Sequence, residues 1–443
     1  MFLALASGFG LAFALITPPL QAPDEERHLV RAYGISEGHL LPIQEEGRAV
    51  VIVPREVAQL WVRIGGNEIA FRPEVKQDLG LLREAFREHP VGEEREAVRF
   101  PSYYSPLVYL PGALAIAAMR AVEAAPIAYV TPGRLLYLLA YCAIIFHALR
   151  RAPAHRWTLA AIALLPMSVF QAAAISADGL TVAFAFAAFV ELTRLQGGEA
   201  PLTWRALLPF ALWSALLGLT KPVYLPLAGL AVLLPARRFP SRREHLLSLG
   251  CVAASALPLA AWMLALSPYD VASLRDGADP GAQVEHLLKQ PQDFLAAVVR
   301  SLWHGAWKIW LDTFVGVLGY LDTRLPGAFY TAVPVGLCVI AALDGGPTSP
   351  ISGVLRIFYA AIGIALTGLV MLSAYIGWNA IGHPVVWGVQ GRYFLPIAPL
   401  MLCALHLSNP PVWAGRLGAL WTSLLGATLA ISLHTVFARY YVS

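Results

Sequence analysis

Phe2 to Pro19 runs for 18 residues without a charge, about 27 Å as a helix and close to the thickness of a bilayer's hydrocarbon core. A chain built of such runs has few choices, because lipid offers no partner to backbone N–H and C=O groups and only helices or closed barrels satisfy them internally. Such runs recur here. The 443 residues are 58% hydrophobic and only 14% charged, which places the chain among polytopic membrane proteins and predicts an all-α bundle. Glycine and proline are frequent, 36 and 33 residues, as expected where spans are broken and closely packed. The first run has no basic residue before it and reads on into Pro23-Asp24, so it is expected to be an uncleaved span. Cys142, Cys251, Cys338 and Cys403 all lie inside apolar segments and read as core residues. The arginines are dispersed among short loops and form no basic face, so the net charge of +4 points to no nucleic-acid partner.

Gln21 to Tyr104 differs in character. It carries 26 of the chain's 60 charged residues and no run long enough to span, so 21–104 reads as an aqueous loop domain. Val50 to Val53 and Glu68 to Phe71 are expected as short strands, and Leu79 to His89 as an amphipathic helix. The side of the membrane follows from the arginines. If the loops with Arg150, Arg151 and Arg156, with Arg194 and Arg205, and with Arg237, Arg238, Arg242 and Arg243 are cytoplasmic, the spans between them alternate without conflict. The expected spans are 2–19, 131–149, 157–175, 179–193, 206–219, 222–236, 246–266, 327–343, 355–376, 393–408 and 416–437. These make about eleven crossings, with the N-terminus inside and the loop domain outside. The expected organisation is a first transmembrane helix (1–20), the loop domain (21–104), an interfacial or re-entrant helix (105–130) and a transmembrane bundle (131–266). An outer loop and interfacial helix (267–326) and the C-terminal transmembrane helices (327–443) complete it. Within 267–326 the outer loop runs from Ser267 to about Asp293, and Val298 to Gly319 reads as the interfacial helix.

This frame brings four polar motifs to the outer face beside the acidic run Asp24-Glu25-Glu26. Ser176-Ala177-Asp178 and Thr220-Lys221-Pro222 each stand at a junction of two spans, and Lys221 is one of only four lysines. Gln390-Gly391-Arg392-Tyr393 opens the tenth span, and Gly319-Tyr320-Leu321-Asp322 follows the interfacial helix. Taken singly, an ionisable residue at a span end reads as a snorkelling anchor. Gathered on one face, acids beside basic residues can move a group off a phosphate: a carboxylate takes a proton from an attacking hydroxyl, and arginine or lysine neutralises the departing phosphate. Arg392 has the planar fork suited to phosphate oxygens, and Lys221 would act as a point charge.

Pro23-Asp24-Glu25 with His28, and the four motifs just named, resemble those of an uncharacterised bacterial membrane family, domain of unknown function 2142. The resemblance runs nearly end to end, from Pro23 to Pro396. That family in turn resembles the GT-C superfamily of glycosyltransferases. The resemblance implies a polyprenyl-phosphate-linked sugar donor, a lipid-linked or cell-envelope glycan acceptor, and a multi-pass protein of the bacterial inner membrane with its active site on the extracytoplasmic face. Asp24, with Glu25 adjacent, matches the superfamily's acid in the first outer loop, and Lys221 and Arg392 become the donor-phosphate ligands. Arg27, His28, Tyr103, Tyr104, Asp178, Asp322, Gln390 and Tyr393 are the substrate-binding candidates. Tyr103-Tyr104-Ser105-Pro106-Leu107 is similar to the superfamily's His-Pro-Pro-Leu-Tyr helix but lacks its histidine. Members differ in metal dependence; a divalent cation, magnesium or manganese, would be held by Asp24. The alternative functions are a lipid or glycan transporter or flippase, which needs a polar path to the cytoplasmic face, and a scaffold that binds envelope partners through the outer loop.

Overall fold

The computed structural model describes every residue except 46–47, 89, 101–102, 270–274, 276, 345–348, 350, 408, 412 and 443. At the centre of the bundle stands the Ala177–Gly197 helix, 18 of whose 21 residues are buried. Its sequence accounts for that place. The helix is apolar all round, its alanines let neighbours approach closely, and Phe184, Phe186 and Phe189 fill the space between them. Val130–Arg151 and Trp204–Thr220 pack along it, and Phe2–Ile16 lies against Val130–Arg151.

Among the described residues four helices are long and apolar enough to cross a membrane: Pro126–Arg151, Arg242–Leu266, Gly353–Trp378 and Leu420–Tyr441. A fifth candidate is the pair Pro166–Ala172 and Ala177–Gly197, bent by 115° at a short break. Among the described residues five shorter apolar helices accompany them, so the chain is a mostly helical membrane protein in which four or five, rather than all eleven, of the expected spans are long helices. Proline explains much of the difference. The 222–236 run forms the 3-10 helix Pro222–Leu233, with Pro226 inside it, since each proline removes a donor from the ladder. The 157–175 run divides into Arg156–Ala163 and Pro166–Ala172, and the 393–408 run starts as the 3-10 turn Gly391–Phe394 and resumes as Ala398–Cys403. Cys142 and Cys403 are buried as expected of core residues, whereas Cys338 is exposed on an apolar helix.

The loop domain is not wholly helical. Ile43–Glu45, Arg48–Pro54 and Arg95–Arg99 form a three-stranded antiparallel sheet that includes the expected strand at Val50 to Val53. Glu68 to Phe71 is instead part of the Gly66–Phe71 helix, opened by Gly65 at φ 73° and burying the adjacent Ile69 and Ala70, whereas successive residues of a strand point to opposite faces. Leu79–Arg87 is the expected amphipathic helix, capped by the Asp78 carboxylate accepting from the Gly80 N–H at 2.6 Å; His89 lies outside the described residues. Pro101 and Ser102 of the tyrosine-rich stretch, and 270–274 and 276 of the 267–293 outer loop, do so as well. The Leu110–Ala121 helix, about 18 Å long and too short to cross alone, packs against Glu25–Ser36 and Val130–Arg151. The Val298 to Gly319 region holds two helices, Gln292–Trp303 and Ala306–Val315, parted at Gly305 with φ 82°; exposed Leu295, Val299, Trp303, Trp307 and Ile309 form their apolar side.

The central helix also sorts the charges. Near its C-terminal end Glu191 accepts from Arg151 and Arg194, both at 2.6 Å, and the Arg238 guanidinium donates to the carbonyls of Leu195 and Gln196. Asp178 is at the other end, 13 residues away and thus about 20 Å along the axis. Arg151, Arg194 and Arg238 therefore stand at one end of a buried helix and Asp178 at the other.

Candidate functional site

Each charged member of the site sits where a regular element starts or stops, and the breaks in the spans put them there. Ser176 caps the central helix, its hydroxyl accepting from the Asp178 N–H at 3.1 Å, and the sharp bend before it turns Asp178 to the bundle end. Lys221 is the extended residue between Trp204–Thr220 and the 3-10 helix Pro222–Leu233. Arg392 belongs to the turn Gly391–Phe394, and Asp24, at φ 62°, is the residue from which the Glu25–Ser36 helix starts.

These four groups, distant in sequence, meet. One terminal nitrogen of Arg392 is 3.3 Å from Asp178 and the other 3.4 Å from Asp24. The Lys221 ammonium bonds the second oxygen of Asp178. The Arg392 side chain is 3% exposed and that of Asp24 49%, so the cluster is sealed on the bundle side and open at Asp24. Tyrosines line it: the Lys221 ammonium lies 4.7 Å from the Tyr393 ring centre and 5.9 Å from that of Tyr104. Tyr224 fixes this wall by donating to the Tyr393 carbonyl at 2.6 Å, and the Trp262 indole N–H donates to the Tyr103 carbonyl at 2.9 Å. The Tyr103 and Tyr104 rings pack edge to face at 4.5 Å. His28 stands behind, its Nδ1 3.0 Å from the Tyr109 hydroxyl. Burial lowers its pKa to about 4, against the pull of Asp24 and Asp178, so His28 is neutral at physiological pH.

Of the residues singled out in the sequence, the structure thus gathers Asp24, His28, Tyr103, Tyr104, Asp178, Lys221, Arg392 and Tyr393. Glu25 is turned the other way. Both its oxygens receive the Arg134 guanidinium, at 2.8 and 2.6 Å, one of them also takes the Ile175 N–H, and its side chain has no exposure, so it closes the bundle and cannot meet a substrate. Arg134 also donates to the Ala14, Thr17 and Pro18 carbonyls, capping the end of the first helix. Asp322 is likewise engaged, accepting from Arg439 at 2.6 Å and from the Thr323 hydroxyl. Arg439 in turn donates to the Ile69 and Val75 carbonyls, so this pair fastens the loop domain to the C-terminal helix.

The acid missed in the sequence is Glu26. Arg27 lies 3.6 Å from one of its oxygens, which also accepts from the Tyr320 hydroxyl at 3.2 Å; the other oxygen is buried without a hydrogen-bond partner. Burial and the neighbouring Asp24 carboxylate raise its pKa to about 7. The only signal for it was a third carboxylate in the run, and a helix turning 100° per residue had to separate Glu25 from Glu26. The Gln390 side-chain oxygen and the Arg392 Nε are also buried and unpartnered. Such groups cost about 1–3 kcal/mol each when left unsatisfied, and two of them, on Glu26 and Arg392, belong to residues beside Asp24, which marks a place where a polar ligand is expected.

A magnesium or manganese ion at Asp24 does not suit this donor set. Arg392 already stands between the two carboxylates, and among the described residues no group of three or more His, Cys, Asp or Glu side chains could hold a metal ion. Residues 7–401 match the model of a family described as "Predicted membrane protein (DUF2142)". No curated protein and no solved structure matches the chain.

Proposed function

The chain belongs to the DUF2142 family of predicted membrane proteins, and from that premise we propose that it is an inverting glycosyltransferase of the GT-C type. It moves a sugar from a polyprenyl-phosphate-sugar donor to a lipid-linked or cell-envelope glycan acceptor, at the extracytoplasmic face of a bacterial inner membrane that it crosses about eleven times. The observation carrying this reading is the convergence of Asp24, Asp178, Lys221 and Arg392 from four separate motifs at one end of the central helix.

The chemistry follows from which atoms remain free. Lys221 uses one N–H on Asp178 and has two more, and the Arg392 Nε–H has no acceptor, so a phosphate seated between them meets unused donors from both. An acceptor hydroxyl attacks the anomeric carbon from the face opposite the phosphate. The carbon–oxygen bond to phosphate breaks, the polyprenyl phosphate departs with the electron pair, and the hydroxyl proton passes to Asp24, half-exposed at the open side. A single displacement inverts the anomeric centre. Asp178 touches both cations and holds them in place. A transporter is less well supported, because between Asp178 and Glu191 the central helix has one polar side chain, Thr181, whose hydroxyl bonds back to the Ala177 carbonyl.

The test is turnover of purified polyprenyl-phosphate sugars by the full chain in lipid nanodiscs, read as release of polyprenyl phosphate with a panel of lipid-linked glycans. Asp24→Asn keeps the size but cannot act as a base, and should lose at least about a hundredfold. A variant retaining more than a tenth of wild-type turnover removes Asp24 from this role, and no release from any donor by the wild-type chain overturns the reading.

A further inference from the structure

The Gly319-Tyr320-Leu321-Asp322 turn has no part in the phosphate cluster, yet it is built at some cost. Gly319 and Leu321, on either side of Tyr320, both have left-handed backbone, φ 62° and 66°, and for leucine that conformation is strained. A side chain at 319 would collide with Asp322, Thr323 and Tyr440, so only glycine fits. The turn joins the two-stranded sheet Val317–Leu318 and Thr323–Arg324, and the Asp322–Arg439 pair locks its far side. All of this restraint fixes one side chain that points back to the acidic run.

Tyr320 stacks on Trp61 of the loop domain, centroids 5.8 Å apart and planes 22° from parallel, and meets Phe71 edge to face at 5.7 Å. Trp61 and Phe71 also touch, at 6.4 Å, which closes the triangle. Trp61 has its own reserved space, since any side chain at Gly66 would run into its ring, and Gln21 holds the Gly66 carbonyl at 3.0 Å. The Trp61 indole N–H is buried without a partner, while Phe71 is 67% exposed. The triangle therefore has an open apolar face and, through the Tyr320 hydroxyl, an edge on Glu26, two residues from Asp24.

We propose that Trp61, Phe71 and Tyr320 form a binding platform for a pyranose ring of the acceptor glycan, next to the phosphate cluster. The inference rests on the glycosyltransferase reading for the word acceptor, but not for the binding itself. Sugar rings present a C–H face that lies on aromatic rings and a rim of hydroxyls that needs polar partners. Here the rings supply the first, and the Tyr320 hydroxyl with Glu26 supplies the second. A lipid anchor would have no use for a tyrosine hydroxyl tied to a buried carboxylate.

The experiment is saturation-transfer NMR on the full chain in nanodiscs, without glycoside detergents, using methyl pyranosides of glucose, galactose, mannose and N-acetylglucosamine as probes. In the wild-type chain, transfer should fall on the ring protons of one face of at least one pyranoside. Phe71→Ala, at an exposed position, should reduce it at least fivefold without changing the thermal unfolding temperature, and Leu288→Ala, at an exposed position away from the triangle, should leave it unchanged. Transfer absent for all four probes, or undiminished in Phe71→Ala, overturns the platform, and insertion of Phe71 into lipid, seen as quenching of a Phe71→Trp variant by brominated acyl chains, does so too. Loss of donor turnover with transfer intact would instead count against the glycosyltransferase reading and leave a glycan-binding surface in place.

Discussion

Glu26→Gln gives a stability test that needs no substrate. The Glu26 pKa rises from 4.5 to about 7, first through burial and then through repulsion from Asp24. At about 1.4 kcal/mol per unit, two and a half units amount to about 3 kcal/mol. The sign follows from proton binding. Between pH 4.5 and 7 the folded chain keeps the Glu26 proton and the unfolded chain has lost it, so folding stability falls as pH rises through that window, and above pH 7 the deficit is complete. Glutamine cannot ionise and carries no such deficit. Thermal unfolding in detergent, followed from pH 4.5 to 8, should find Glu26→Gln close to wild type at pH 4.5 and more stable by as much as about 3 kcal/mol at pH 8. Adding Asp24→Asn to the wild-type chain should narrow the window, because Asp24 is the second cause of the shift. Parallel curves for wild type and Glu26→Gln would refute the assignment of a buried, proton-holding Glu26.

Three further outcomes are expected. Glu25→Ala strands the Arg134 guanidinium, only 2% exposed, and should destabilise the fold by about 3–5 kcal/mol, whereas Asp24→Asn should not destabilise it; equal thermal stabilities of the two variants would deny the division of labour between these neighbours. Arg392→Lys should slow polyprenyl-phosphate release about ten- to a hundredfold, because lysine cannot span Asp24 and Asp178 at once, and full activity in that variant would leave Arg392 as a membrane anchor. In a chain whose native cysteines are replaced, Glu45→Cys should react with a membrane-impermeant thiol reagent in intact cells and Arg237→Cys should not; labelling in the opposite sense would invert the site's side.

The bundle end that carries the site was legible because charge in an apolar chain is scarce and expensive, so Asp178, Lys221 and Arg392 stand out and the arginine loops set the frame. Their meeting was not legible, since it depends on the 115° bend before Ala177 and the 3-10 path after Lys221, neither of which a count of apolar residues reveals. The acidic run was misread at single-residue level for a related reason. Which carboxylate faces the bundle is decided by where Arg134 stands, 109 positions on in the chain, and that hands Glu25 to structure, leaves Asp24 at the open side and sets Glu26 against Tyr320. Asp322 was attributed to substrate for want of Arg439, its partner near the far end of the sequence. Local backbone followed propensity at Val50 to Val53. At Glu68 to Phe71 the short apolar run expected as a strand was overridden by Gly65, which starts a helix there.

The electrostatics of the cluster bear on why Asp178 is present at all. Two cations at a lipid boundary with no counter-charge would be strongly disfavoured, and the residues would drift toward water when no donor is bound. Asp178 contacts both Lys221 and Arg392 and, together with Asp24 on the remaining end of the Arg392 fork, balances the two positive charges at rest. A carboxylate cannot use up five guanidinium donors and three ammonium donors, so the resting site is balanced in charge yet still rich in N–H groups. On the proposed reading an arriving phosphate is then bound without first breaking a salt bridge, and the arginine and lysine need not reorganise as negative charge grows on the leaving oxygen. That combination, neutral at rest and donor-rich, is the electrostatic preorganisation a group transfer from phosphate requires.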